Sequence, residues 1–157
     1  MRKKINFLQI IALISIVIWG FYFVVNKISP SVSPDFVTYN QTDIKIGNVT
    51  VIADIAETHA QRVQGLSGRS SLGENEGMFF IFEKDGPQGI WMKNMLMPID
   101  IIWIDKDFIV VHFEKNVSPD TYPESFKSPV DARYVLEVPA GFVEGSGVKL
   151  LEKVEVR

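Results

Sequence analysis

The stretch Gly89 to Asp105, GIWMKNMLMPIDIIWID, gathers side chains able to hold a small molecule. Trp91 offers an aromatic face on which a ring can stack, and Lys93 beside it offers an ammonium for an anion or an oxygen. Asn94 and Asp100 are hydrogen-bonding groups suited to hydroxyls. Upstream, Arg62 and Arg69 carry planar guanidinium forks that match carboxylate or phosphate. These six residues form a candidate ligand-binding set. The cations suit a ligand bearing carboxylate or phosphate, the Asn and Asp suit a sugar, and residue types alone do not choose between them. Asp100 is also the acid or base to expect if the protein is instead an enzyme acting on an envelope polymer. An exposed apolar patch would point to a third role, that of an accessory subunit docking on a membrane complex. A structural reading competes with all three. Four of the five Met fall between Met78 and Met97, and Met fills irregular core gaps well, so Trp91 and the Met residues can be core while Lys93-Asn94 is merely solvated.

Other chemistries fit less well. Gly65-Leu66-Ser67-Gly68-Arg69 approaches the G-x-S-x-G nucleophile elbow but lacks its last Gly. Two His and no Cys leave too few ligands for a typical zinc site, so neither a metal nor a cofactor is expected. Asp105-Lys106-Asp107 reads as a turn between strands before it reads as a carboxylate pair.

The elements that must position these residues are mostly strands. Residues 44–56, IKIGNVTVIADIA, alternate around Gly47-Asn48 and predict a β-hairpin. Thr58 and Gln61 form a capping-box pattern for a short helix that bears Arg62 and stops at Gly65 in a left-handed conformation. A Gly- and Ser-rich loop, residues 67–77, follows, with Gly77 letting the chain turn into the strand MFFIFE, which starts at Met78. Further strands are expected at 89–96, 99–105, 108–114, 133–138 and 153–157. Within 90–96, a regular strand puts Trp91, Lys93 and Met95 on one face and Asn94 on the other. Pro98 cannot donate to a sheet ladder, so it interrupts the strand and re-aims Asp100. The expected fold is mainly β: a compact, barrel-like antiparallel or mixed sheet with one or two short helices.

A single transmembrane helix is expected to precede that domain. Arg2, Lys3 and Lys4 introduce a run, residues 5–26, that is almost uncharged and ends at Lys27. About 20 apolar residues span the ~30 Å hydrocarbon layer, and this run is longer than the core of a cleavable signal peptide. The basic stub favours an N-terminus in the cytoplasm and a domain outside it. The organisation follows: residues 1–27 as anchor, 28–43 as a Pro- and Ser-bearing linker, 44–157 as the domain. Beyond the anchor there are 12 basic and 19 acidic residues, a net charge of −7, which argues against nucleic acid or anionic lipid as a partner; the expected partners are the membrane, through residues 5–26, and a small-molecule ligand.

The motifs GLSGR, GMFF, WMKN and PID occur in this order, with Arg62, Gly65, Leu66, Arg69, Gly77, Met78, Phe80, Pro98 and Asp100 at their fixed positions. Tyr134-Val135-Leu136-Glu137 and Gly141 continue the pattern. In these residues the chain, over about 45–157, resembles the prokaryotic domain-of-unknown-function family 192. The resemblance implies a compact, mostly β domain, often exported or anchored, without an established activity. It implies structural roles for Gly65, Gly77, Met78 and Pro98, and it favours a site at Trp91-Asn94. The chain departs from the family where Ser67 replaces a frequent Met, Met95 a frequent Thr, and Leu151-Glu152 a Gly-Asp turn.

Overall fold

The structure is a computed structural model that describes residues 37–157. The expected anchor, residues 1–27, and linker residues 28–36 lie outside the described residues. Among the described residues no helix is long and apolar enough to cross a membrane. In chain order the elements are β1 (Gln41–Ile46), β2 (Val49–Ala56), α1 (His59–Gln64), β3 (Glu76–Gly86), β4 (Gly89–Trp91), β5 (Ile99–Ile104) and β6 (Val110–Val117). A 3-10 turn (Pro119–Thr121), β7 (Ser125–Lys127), β8 (Ala132–Pro139), α2 (Phe142–Ser146) and β9 (Glu155–Val156) complete the domain.

Seven strands form one curled, half-barrel sheet in the order β6-β5-β8-β3-β2-β1-β9, and β4 pairs with β7 in a separate ribbon. Only β2 and β3 run parallel, because the α1 crossover and the loop after it carry the chain back to the starting end of the sheet. The sheet is buried on both faces. One face packs Ile44, Val51, Phe79, Ile102 and Leu136 beneath α2. The other packs Met78, Phe80, Ile99, Ile101, Trp103 and Val135 beneath β4 and Leu66. Residues alternate between the faces, so β5, all six of whose residues are buried, reads as a continuous apolar run broken only by Asp100.

The hairpin forms with Ile46 opposite Val49, and Gly47 at φ 58° supplies the turn. Its first strand begins at Gln41, so residues 41–43, assigned to the linker from sequence, pair instead with Asp54–Ile52. Thr58 caps α1, and the Gln61 side chain accepts from the Thr58 amide at 2.9 Å, which completes the capping box. Gly65 has φ 49° and ψ −139°, a positive-φ conformation other than left-handed helix that glycine adopts at little cost. Gly77 differs from expectation. It lies inside β3, and a Cβ there would sit 2.6 Å from the Glu137 carbonyl oxygen, so the constraint is close strand packing. The loop turns earlier, at Gly73, whose carbonyl accepts from the Glu76 amide and whose own amide donates to the Glu76 carboxylate.

The strand expected over 89–96 ends at Trp91, with Pro98 lying just before β5. Strand β6 begins at Val110 rather than 108, since Phe108 has φ 59° and the Asp105 carboxylate holds the turn by accepting from the amides of Asp107 and Ile109. Within the expected 153–157 strand only Glu155 and Val156 pair as β9. Met78 is fully buried between Asp54 of β2 and Glu137 of β8.

Candidate functional site

A cleft of about 250 Å³ opens between α1 and β4 on the second face of the sheet. Its walls are Phe80 and Phe82 from β3, Ile90 and Trp91 from β4, Met95, and the α1 residues His59 and Arg62. Trp91 stands at the edge with 46 % of its surface exposed. Tyr122 meets it edge-on, with ring centroids 6.0 Å apart, and the Lys93 ammonium lies 5.3 Å from its centroid.

The backbone explains how two distant motifs build one wall. After Trp91 the chain turns, with the Met95 amide directed at the Met92 carbonyl and Asn94 at φ 56°. Asn is the residue other than Gly that accepts this left-handed conformation most readily, which accounts for its presence in the turn. The turn's exposed carbonyls are taken by the loop after α1: Ser67 Oγ donates to Lys93 O at 2.9 Å and the Gly68 amide donates to Asn94 O at 2.9 Å. GLSGR and WMKN are therefore clasped together by main-chain oxygens, with Met92 buried beneath.

The six candidate residues separate into three groups. Arg62 and Trp91 line the cleft, with Lys93 and Asn94 in the turn at its rim. The Arg62 guanidinium is already engaged, donating to the carbonyls of Glu57 and Ile81 and lying 5.4 Å from the centre of the Phe82 ring, so it fastens α1 to β3. Arg69 lies beside the cleft, in an ion pair of 2.6 Å with Asp54 and 5.7 Å from the centre of the Tyr39 ring.

Asp100 does not join the cleft, which corrects its expected role. It shares the opposite sheet face with Ile102 and is completely buried. Its Oδ1 accepts from the amides of Asn116 (2.8 Å) and Gly141 (3.2 Å), and its Oδ2 from the amide of Val143 (2.9 Å). Asn116, at φ 53°, belongs to an irregularity in the β5–β6 register, and Gly141 and Val143 open α2. Asp100 thus ties a bulge and a helix start to β5 from the face opposite the cleft, which leaves it without access for a proton-transfer role there.

A different acid lies at the cleft floor. Glu137 of β8 pairs with Met78 on one side and Ile101 on the other, so its side chain shares their face. It is 5 % exposed, lines the cleft, and its Oε2 has no hydrogen-bond partner among the described residues. Burial pushes its carboxyl up to about 8, opposed by the positive charge of Arg69. The Tyr39 hydroxyl, a second buried group without a partner, is also raised, first by burial, with Arg69 opposing and Asp54 and Glu137 adding. The signal for Glu137 was present in ARYVLEVP, where a lone carboxylate interrupts an apolar strand. Among the described residues no cluster of three or more His, Cys, Asp or Glu is placed to hold a metal.

The DUF192 family model, described as an uncharacterized ACR, matches residues 42–156. The chain belongs to the DUF192 family. Two solved structures resemble this DUF192 protein. A candidate transcription regulator from Sinorhizobium meliloti 1021 aligns with a TM-score of 0.72 and 28 % identity, over 76 % of this chain and 96 % of its own. A protein of unknown function from Novosphingobium aromaticivorans DSM 12444 aligns with a TM-score of 0.69 and 27 % identity, over 81 % of this chain and 92 % of its own. Comparison with curated proteins gives no match.

Proposed function

We propose that this DUF192 domain is a small-molecule binding module, held on the outer side of the cytoplasmic membrane by the apolar run at residues 5–26, and that its ligand sits in the cleft beside Trp91. One observation carries the reading. A concave cleft walled in part by Phe80 and Phe82 ends in a Trp that is left half-exposed although Tyr122 and Lys93 pack against its ring. A large aromatic held rigid and half-open to solvent is a stacking surface, because the ordering that a ligand would otherwise have to impose is already done.

An enzyme working through Asp100 is not pursued, since that carboxylate is buried on the other face, where it accepts three main-chain hydrogen bonds. Nor is a role in transcription transferred from the Sinorhizobium protein: 19 acidic against 12 basic residues after the N-terminal run give no excess of basic charge for nucleic acid.

Thermal-shift screening of the purified protein against small polar envelope metabolites tests the reading. A ligand at 100 times its dissociation constant adds about 2.7 kcal/mol of stability. Trp91→Ala should abolish the shift while costing well below the 3–5 kcal/mol typical of truncating a core Trp. A shift that survives Trp91→Ala would place the ligand elsewhere.

A further inference from the structure

We propose that the cleft takes a single neutral sugar ring, stacked by its aliphatic face on Trp91 and anchored by a hydrogen bond between the Glu137 carboxyl and a ring substituent. The proposal rests on the small-molecule reading above and names its ligand class. Three observations converge on it. The first is size: about 250 Å³ lies below the roughly 300–1,000 Å³ of pockets for drug-sized ligands, so the cleft accommodates one ring.

The second is the anchor. Glu137 is 5 % exposed and lines the cleft, its Oε2 is enclosed, and its carboxyl has no hydrogen-bond partner among the described residues, which is costly to leave so. A ligand hydroxyl or carbonyl supplies the missing partner. Because burial favours the uncharged form, the acid is a donor at neutral pH.

The third is the charge inventory around the cleft, which disfavours ions of either sign. An anion meets guanidiniums that already face partners: Arg62 directs Nη1 at the carbonyls of Glu57 and Ile81 with Nη2 4.0 Å from the Glu83 carboxylate, and Arg69 pairs through Nη2 with Asp54. The Lys93 ammonium lies at the rim, against Trp91, and not at the floor. A cation would enter beside Arg62, with a protonated acid in place of a counter-charge. A neutral ring with polar substituents avoids both penalties.

The groups facing Glu137 are Tyr39, Asp54 and Arg69 on its own sheet face, and His59 and Arg62 across the cleft. Equilibrium dialysis of labelled N-acetylglucosamine, glucosamine and glucuronate against the full-length chain in mild detergent gives the test. The expected order is the neutral N-acetyl sugar first, with affinity falling about tenfold between pH 7 and pH 9 as a group titrating near 8 loses its proton. Glu137→Leu should lose the sugar. Glu137→Gln, which retains a donor, should bind it without the pH dependence, and persistence of that dependence would assign it to His59, Lys93 or Tyr39 and overturn the anchor. Binding that needs Trp91 but survives Glu137→Leu would overturn this inference and leave the module reading standing. Preference for glucosamine or glucuronate would overturn the neutral class. If none of the three sugars binds the wild-type chain, the sugar assignment fails. A ligand of any class bound with indifference to both Trp91→Ala and Glu137→Leu would overturn the module reading as well.

Discussion

Two buried carboxyls divide the roles that sequence had given to one. Asp100 accepts three main-chain hydrogen bonds, one buried and two partly buried, so Asp100→Ala strands three amides at once and should cost on the order of 3 kcal/mol, read as a lowered melting temperature. An unchanged melting temperature would mean that solvent reaches those amides. Glu137 behaves in the opposite sense, and its sign follows from linkage. With a folded pKa of about 8 against an ordinary value of 4.5, the native state holds a proton that the unfolded chain releases. Stability therefore falls as pH rises through that window, by up to about 1.4 kcal/mol per unit, and levels off above 8. Glu137→Gln should flatten the slope in chemical denaturation at pH 5, 6.5 and 8. An equal slope in the variant would assign it to other groups. Asp100 was misjudged from sequence because its partners, Asn116, Gly141 and Val143, lie far along the chain and contribute amides, which no side-chain pattern reveals.

The elements readable in the sequence are those fixed by neighbours in the chain. The Gly47-Asn48 hairpin and the Thr58–Gln61 cap each depend on residues within a few positions, and both formed as expected. Strand β7 and helix α2 were not foreseen individually. Ser125–Lys127 has no apolar run of its own and is a strand only because Gly89–Trp91 lies beside it. The early end of the 89–96 strand escaped for the same reason, since the carbonyls that turn outward after Trp91 are satisfied by Ser67 and Gly68, some 26 residues upstream by the first of these bonds. Gly77 shows the limit clearly: composition marks it as special, yet the cause is the Glu137 carbonyl on the neighbouring strand β8, far along the chain. Gly77→Ala should cost at least the roughly 1–3 kcal/mol of overpacking, because the nearest atom is main chain and cannot swing aside. A melting temperature equal to wild type would show that β3 and β8 can part without loss.

At the scale of the whole chain, location and function meet in the acidic domain that follows a basic, apolar N-terminus. If that segment anchors the protein as its charge asymmetry directs, protease added to intact spheroplasts should remove the domain and leave a small membrane-bound fragment. Full protection of the domain would refute the orientation. The mostly β character of the fold was readable from strand periodicity, whereas the strand order was not, because parallel pairing of β2 with β3 and insertion of β8 between β3 and β5 are long-range choices.

The separate ribbon has a consequence for how the molecule breathes. Strands β4 and β7 have three residues each and hydrogen-bond only to one another, and a two-stranded ribbon of that size is marginal unaided. Its tie to the main sheet includes the bond from Trp103 Nε1 to the Gln88 carbonyl at 2.8 Å. Amide protons of Ile90 and Phe126 should therefore exchange with deuterated solvent well before those of Ile102 and Leu136 at the sheet centre, through openings that leave the seven strands intact. Any molecule that settles against Trp91 must quiet those openings. Slower exchange confined to the ribbon would then reveal occupancy of the cleft before its occupant has a name.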